Sequence, residues 1–158
     1  TFNRNRSHMF SQSQAVDALR TAWSAGVKVS GTPLRFFNFG YELRYAASRL
    51  SMNGASQAWL SSMKNELKLT FTPHPKWQWT VSGEHYRNQL ADNQYKNVLM
   101  LDTRLTYRLG KRVELGADLS NILNRSSYNY TVYSQLSSFE SQRSLRGRQL
   151  LFSITVKK

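Results

Sequence analysis

Apolar and polar residues alternate with a period of two along most of this chain of 158 residues. The clearest run follows Pro33. Its odd positions are Phe37, Phe39, Tyr41, Leu43, Tyr45 and Ala47, and its even positions are Asn38, Gly40, Glu42, Arg44, Ala46 and Ser48. This period is typical of a β-strand with one apolar face. The pattern predicts seven strands and no helix, with the strands near residues 21–31, 34–48, 59–72, 77–87, 97–109, 113–122 and 148–157.

The connections between these strands alternate in length. Short turns fall near residues 31–33, 73–76 and 110–112. Longer polar links cover residues 49–58, 88–96 and 123–147, and residues 1–20 are expected to be the end of another such loop. Short turns at one end and long loops at the other are typical of outer-membrane barrels. We therefore expect an all-β fold, an antiparallel up-and-down transmembrane β-barrel, with long loops outside the cell and short turns in the periplasm.

The charged residues separate this prediction from a soluble sheet, which also alternates. The chain has 22 Lys and Arg against 9 Asp and Glu, a net charge of +13. Six of the acids lie on the polar rows, namely Glu42, Glu66, Glu84, Asp102, Glu114 and Asp118. The remaining acids, Asp17, Asp92 and Glu140, are expected in loops. Arg35, Arg49 and Arg87 are expected at strand ends or in links. A lipid-facing Arg or Lys costs about 2 to 4 kcal/mol at the bilayer midplane, and this arrangement avoids that cost.

Aromatic residues are expected to form two bands on the apolar rows. Near the short turns lie Phe37, Phe71, Trp77, Trp79 and Tyr107; near the long loops lie Trp23, Tyr45, Trp59 and Tyr95. Amphipathic rings prefer the two membrane interfaces, so two bands with Leu, Val and Ala between them indicate an aromatic girdle. The alternative is a soluble sheet whose Trp and Tyr residues fill a core.

Two hairpin registers follow from the turns. A turn centred on Lys111 pairs Leu109 with Val113, Arg108 with Glu114 and Arg104 with Asp118. A turn centred on His74 pairs Lys64 with Glu84 and Phe71 with Trp77. Cross-strand pairs of this kind contribute roughly 0.2 to 1 kcal/mol each. The polar face is therefore expected to carry paired charges.

Seven strands do not close as an ordinary single-chain bacterial barrel, which has an even number of strands. A small complete barrel of eight strands would need a spanning strand in residues 1–14, and the charged middle of that segment predicts a loop. Open sheet edges do not occur in hydrocarbon. The seven strands are therefore expected to be the C-terminal section of a larger barrel.

The end of the chain carries a family resemblance. The segment Leu119-Ser-Asn-Ile-Leu-Asn-Arg-Ser-Ser-Tyr128, followed by Leu145-Arg-Gly-Arg148 and an alternating strand, resembles the C-terminal end of TonB-dependent receptors, in particular the receptor-like barrels common in Bacteroidota. The matching motif residues are Asn121, Leu123, Asn124, Tyr128, Gly147 and Arg148. The resemblance implies a barrel of about 22 strands with a plugged lumen.

The resemblance also implies a function, which is uptake of a ligand across the outer membrane. Ligand would be bound by loops and plug, then released inward when TonB pulls on the plug. Ligand-binding candidates on the lumen wall are Arg44, Glu84 and Arg104, although simple structural pairing is the preferred role for these three. Iron siderophores, vitamins, glycans and peptides all stay open as ligands. Expected partners are the lipid bilayer, lipopolysaccharide, the remaining barrel and plug, TonB, and a surface lipoprotein or other outer-membrane subunits. An alternative function is a scaffold or assembly subunit of a surface complex.

Other function classes have little support in the sequence. There is no cysteine, and the three histidines, His8, His74 and His85, are scattered. No metal-ligand spacing or nucleotide-binding fingerprint is present, so we expect neither catalysis nor a cofactor. A soluble basic β protein that binds nucleic acid is a weak alternative, because the basic residues are not clustered in one strip. The densest basic group is expected at the outer rim, facing lipopolysaccharide, and consists of Arg125, Arg143, Arg146 and Arg148.

Overall fold

The computed structural model describes residues 1–11, 14–91, 93–133 and 138–157. Its elements are strands throughout: β1 Phe2–Ser11, β2 Gln14–Leu34, β3 Phe37–Met52, β4 Ala55–Ser56, β5 Leu60–His74, β6 Trp77–Ala91, β7 Gln94–Leu109, β8 Val113–Ser120, β9 Ser127–Tyr133, β10 Ser138–Ser144 and β11 Gln149–Val156. No helix among the described residues is long and apolar enough to cross a membrane. The prediction of an all-β fold is confirmed.

Eight of the strands form an antiparallel up-and-down sheet in the order β1-β2-β3-β5-β6-β7-β8-β11, and β4 adds a short ninth strand to β3. Strands β9 and β10 form a separate hairpin, inserted between β8 and β11. Apart from this insertion and the short β4, each strand pairs with the next strand along the chain. The up-and-down topology is therefore as predicted.

The registers place the seven predicted apolar rows on one side of the sheet. Trp23 lies opposite Ala47, Phe37 opposite Phe71, and Phe71 opposite Trp79. The odd rows continue to face one another through β7 and β8, and Leu119 then faces Leu150 of β11. We call this side the apolar face and the other the polar face. A shift of one residue in any pair would have moved a whole row to the wrong side.

The short turns are staggered along the sheet. Phe37, the first residue of β3, lies opposite Phe71, which is three residues before the end of β5. Trp77, the first residue of β6, lies opposite Tyr107, which is two residues before the end of β7. Each turn thus lies two to three residues beyond the previous one. A constant stagger in one direction is what tilted barrel strands require.

Two of the three predicted turns need correction. The first is at residues 35–36 rather than 31–33, because a β-bulge between Gly31 and Leu34 lets the strand pass Pro33. The second is at residues 75–76, so the expected centre at His74 is wrong by one residue: Phe71 faces Trp79, and Lys64 faces Tyr86. The turn at 110–112 and its complete register are confirmed.

The predicted long links are mostly strand. Residues 49–58 contain the end of β3, a turn and β4, residues 88–96 contain the ends of β6 and β7, and residues 123–147 contain the β9–β10 hairpin. The loop predicted for residues 1–20 was also wrong, since β1 pairs with the first ten residues of β2. The charges of Arg4 and Arg6 had argued against a spanning strand in this segment. In the structure these two arginines pair with β2 on the loop side of Trp23, and both side chains are exposed.

The sheet is a single open layer. Only Ala18, Ala47, Leu50, Val98 and Thr106 are buried among the described side chains. The solvent-accessible area of 11411 Å² compares with about 8,100 Å² for a globular monomer of this mass. At the ends of the sheet, β11 contacts β8 alone among the described strands, and Ala25–Leu34 of β2 has only β3 as a ladder partner.

Candidate functional site

Aromatic side chains near the short turns form a trio and a pair on the apolar face. In the trio, the ring centroids of Phe37 and Phe71 are 4.7 Å apart, and those of Phe71 and Trp79 are 5.6 Å apart. In the pair, the centroids of Trp77 and Tyr107 are 4.5 Å apart. These are the five residues predicted for this end.

Aromatic side chains near the long loops contact either another ring or an arginine. The centroids of Trp23 and Tyr45 lie 5.1 Å apart. Trp59 and Tyr95 each carry an arginine over the ring: Arg49 at 5.0 Å and Arg87 at 4.3 Å. Both arginines lie within strands, on the apolar face, and not at strand ends or in links as predicted.

The two aromatic ends lie about ten residues apart along the strands. Trp23 lies opposite Ala47, which is ten residues along β3 from Phe37 (47 − 37 = 10). Ten residues of a strand tilted by about 40° rise roughly 25 Å, which matches the apolar band of outer-membrane barrels.

The polar face carries ion pairs between neighbouring strands. Arg104 Nε lies 3.2 Å from Asp118 Oδ1, and Arg108 Nε lies 3.5 Å from Glu114 Oε2. On the other hairpin, Lys64 pairs with Glu66 and also reaches Glu84 at 3.7 Å, although the register differs from the predicted one. The predicted network of paired charges is therefore present on this face.

A charge-swap cycle measures what one of these pairs contributes. We expect Arg104→Asp and Asp118→Arg to destabilise the protein singly, and the double swap to recover roughly 0.2 to 1 kcal/mol. The readout is urea unfolding of the single, double and parent proteins. Additive effects, with no recovery in the double swap, would show that the pair does not couple the two strands.

The three predicted ligand-binding residues do not converge. Arg44 pairs with Glu42 of its own strand, and Arg104 pairs with Asp118. Glu84 accepts a hydrogen bond from the Tyr86 hydroxyl as well as pairing with Lys64. No contact among the described side chains joins any two of the three. Their geometry favours structural pairing.

A hollow lies on the loop-end half of the polar face. Its floor is made of small side chains on β2, β3 and β5: Ala22, Ser24, Gly26, Ala46, Ser48 and Ser62. Two adjoining cavities of about 430 and 780 Å³ open above this floor, with Arg44, Lys64 and Tyr86 at the border. Volumes of this size accommodate a small ligand or packed side chains of another element.

Four of the six family-motif residues meet in a hydrogen-bonded cluster, which we call the clasp: Asn121, Asn124, Gly147 and Arg148. The Asn121 amide Nδ2 donates to the carbonyl oxygens of Arg125 and Arg146, both at 2.8 Å, and its Oδ1 accepts from the Arg125 N–H at 2.8 Å. Both asparagines have φ of 51°, a conformation that asparagine tolerates better than most residues.

The second half of the clasp holds the start of β11. Asn124 Oδ1 accepts from the Arg148 N–H at 3.0 Å, and the Arg148 guanidinium donates to the Ile122 carbonyl at 3.0 and 2.7 Å. A Cβ at Gly147 would lie 3.2 Å from Asn124 Oδ1, which explains the small residue. The clasp closes the ends of the 28-residue segment 121–148 and holds β11 beside β8.

The other motif and rim residues have mixed outcomes. Leu123 is 37% exposed, and the Tyr128 side chain lies outside the described side chains, as do those of Arg143 and His8. The Arg148 guanidinium donates to a backbone carbonyl and keeps its charge. The role of the basic group Arg125, Arg143, Arg146 and Arg148 toward lipopolysaccharide stays a prediction.

Sequence reasoning missed a polar chain on the apolar face. The Tyr41 hydroxyl donates to Asn65 Oδ1 at 2.8 Å, and Asn65 Nδ2 lies 3.2 Å from His85 Nδ1. Asn65 was visible in the sequence as an interruption of an apolar row, but only the register shows that its neighbours are also polar. His74 lies beside its turn, where its Nδ1 accepts from the Lys76 N–H.

No cluster of three or more His, Cys, Asp or Glu residues suited to a metal ion lies in the part of the chain that the structure describes. Comparisons with protein-family models, with curated proteins and with solved structures gave no match for this chain.

Proposed function

We propose that this chain is the C-terminal section of an outer-membrane β-barrel of the TonB-dependent receptor type, which takes up a ligand across the outer membrane. The observation that carries the proposal is the single-layer sheet itself. Its apolar face is bounded by aromatic side chains about 25 Å apart, and its polar face carries ion pairs. A layer of this kind is stable when lipid covers the first face and a polar lumen lies on the second.

The open sheet supports a large barrel over a small one. The main path has eight strands, which is the number that the small-barrel alternative needs. An eight-stranded barrel is filled by its own side chains, yet Lys28, Arg44 and Arg104 on the polar face have side chains that are 76%, 68% and 59% exposed. In addition, β1 pairs with β2 only from Trp23 outward, so it does not span the proposed bilayer.

The proposed assignment to the TonB-dependent receptor type rests on the clasp residues. Asn121, Asn124, Gly147 and Arg148 resemble a motif of TonB-dependent receptors, and each makes or permits a hydrogen bond that positions the last strand. Since the polar-face hollow has a floor of small side chains, we propose that it is filled in the whole protein by the plug or by ligand. The scaffold role remains the second candidate function, supported by the same sheet.

Cysteine labelling tests the proposed topology, because these 158 residues contain no cysteine. We expect Gln57→Cys to react with a membrane-impermeant maleimide on intact cells. Lys111→Cys should react only after the outer membrane is permeabilised, since it lies in a short turn. Both side chains are exposed, which makes them matched probes, and the unsubstituted protein gives the background. Equal labelling of both sites on intact cells would refute the proposed orientation.

A second measurement separates the receptor from the scaffold. The full-length protein is purified from outer membranes and tested for binding to the periplasmic C-terminal domain of TonB. Binding would support the receptor, whereas a correctly oriented barrel that does not bind TonB would favour the scaffold.

A further inference from the structure

The loop-end part of the apolar face carries cations where the rest of the face carries none. Arg49 lies on β3 and Arg87 on β6, each stacked on an aromatic ring at the outer aromatic end of the face. Neither has a carboxylate partner among the described residues. Arg49 Nε is buried and has no hydrogen-bond partner there. These arginines are therefore available to an anion that approaches from the lipid side.

The surroundings of the two arginines favour an anion that also has an apolar part. His85 lies two residues from Arg87 on the same face and is opposite Leu99, which is exposed. From His85 the polar chain runs through Asn65 to Tyr41, which is opposite the exposed Leu67 in the middle of the face. The one acid on this face among the described side chains, Asp17, lies beyond Trp23 and pairs with Arg6 at 3.2 Å. No carboxylate therefore competes for Arg49 or Arg87.

We infer that Arg49 and Arg87 bind the phosphate groups of lipopolysaccharide in the outer leaflet. The inference rests on the proposed function, since it requires this face to meet the membrane. Arginine binds phosphate through two parallel charge-assisted hydrogen bonds, and the aromatic ring beneath each guanidinium holds its plane in position. The acyl chains of the lipid cover the apolar face between the two aromatic ends.

Lipid titration of the full-length protein in a neutral detergent tests the site, with purified lipopolysaccharide as the probe. We expect the double variant Arg49→Gln, Arg87→Gln to bind about tenfold more weakly or worse. The matched control is Arg20→Gln, because Arg20 is exposed at the same end of the sheet but on the polar face. This control should bind like the parent. Removing the phosphates from lipid A should weaken its binding to the parent protein. The loss should equal the one that the double substitution causes with the intact lipid.

Each contrary result has a distinct meaning. Parent-like affinity in the double variant, or full affinity for dephosphorylated lipid A, would overturn the site. Equally tight binding of phosphatidylglycerol would identify a glycerophospholipid headgroup as the anion and overturn the assignment to lipopolysaccharide. Heat-modifiable gel migration is measured in parallel. A protein that is no barrel fails the proposed function, whereas an intact barrel with unchanged lipid affinity fails this inference alone.

Discussion

Replacing Leu67 with arginine is expected to destabilise the folded protein by about 2 to 4 kcal/mol. Leu67 lies on the apolar face, and its side chain is 43% exposed even though it stands in the middle of the sheet. It is roughly midway between the two aromatic ends, so it would lie near the centre of the hydrocarbon layer of the proposed bilayer. A guanidinium there would lose its hydration without gaining a carboxylate.

The matched control for this substitution is Ser82→Arg. Ser82 lies on the neighbouring strand β6, opposite Lys68 and Asp102 on the polar face. An arginine there stays in the proposed aqueous lumen and can approach Asp102, so we expect a change within about 0.5 kcal/mol. Both are measured by urea-dependent folding of the full-length protein into phosphatidylcholine vesicles. Equal, small costs for the two variants would mean that water covers the apolar face.

The strands were predictable because the sheet has two chemically different faces. The period of two at Phe37 to Ala47 identifies both a strand and its apolar side, and the register confirmed that assignment in every neighbouring strand. The register of the β7–β8 hairpin was also predictable from its charges. Arg104 and Arg108 each lie opposite an acid of β8. Local pattern and cross-strand pairing agree in this hairpin.

Where strands end was much less predictable. Polar residues such as Asn88 and Lys96 were expected in a loop, yet they pair in the β6–β7 ladder. Beyond the aromatic ends both faces of these strands carry polar residues, so the alternation disappears while the backbone hydrogen bonds continue. The same loss of contrast hid β1. It also concealed that Arg49 and Arg87 belong to strands, and with them the proposed lipid site.

The role of the clasp could not be predicted from the sequence, for a different reason. The sequence offered Asn121, Asn124, Gly147 and Arg148 as matches to a motif, and no pattern indicated what they do. Their role depends on hydrogen bonds between positions about 25 residues apart, such as Asn121 to Arg146. Neither periodicity nor charge encodes such contacts, because the partners are backbone N–H and carbonyl groups, which nearly every residue has.

Replacing Asn121 with alanine is expected to destabilise the protein by about 2 to 3 kcal/mol. The side chain makes three hydrogen bonds to the backbone of Arg125 and Arg146. Exposed bonds of this kind contribute roughly 0.5 kcal/mol each, and alanine adds at least about 1 kcal/mol of strain at a positive φ. Because the clasp holds β11 beside β8, hydrogen exchange should accelerate most at residues 145–156 and little in β5.

Two control variants separate the bonds from the strain. Asn121→Gly keeps the left-handed backbone and loses only the bonds, so we expect about half of the alanine effect. Asn93→Ala places alanine at a comparable φ of 56° in the β6–β7 turn, where no side-chain hydrogen bond of Asn93 occurs among the described residues, so only strain remains. If Asn121→Ala cost no more than Asn93→Ala, and exchange in β11 were unchanged, the clasp would not position the last strand. A larger loss of stability, with faster hydrogen exchange confined to residues 145–156, would establish that these bonds hold β11 beside β8. The turn conformation alone would then not explain the effect.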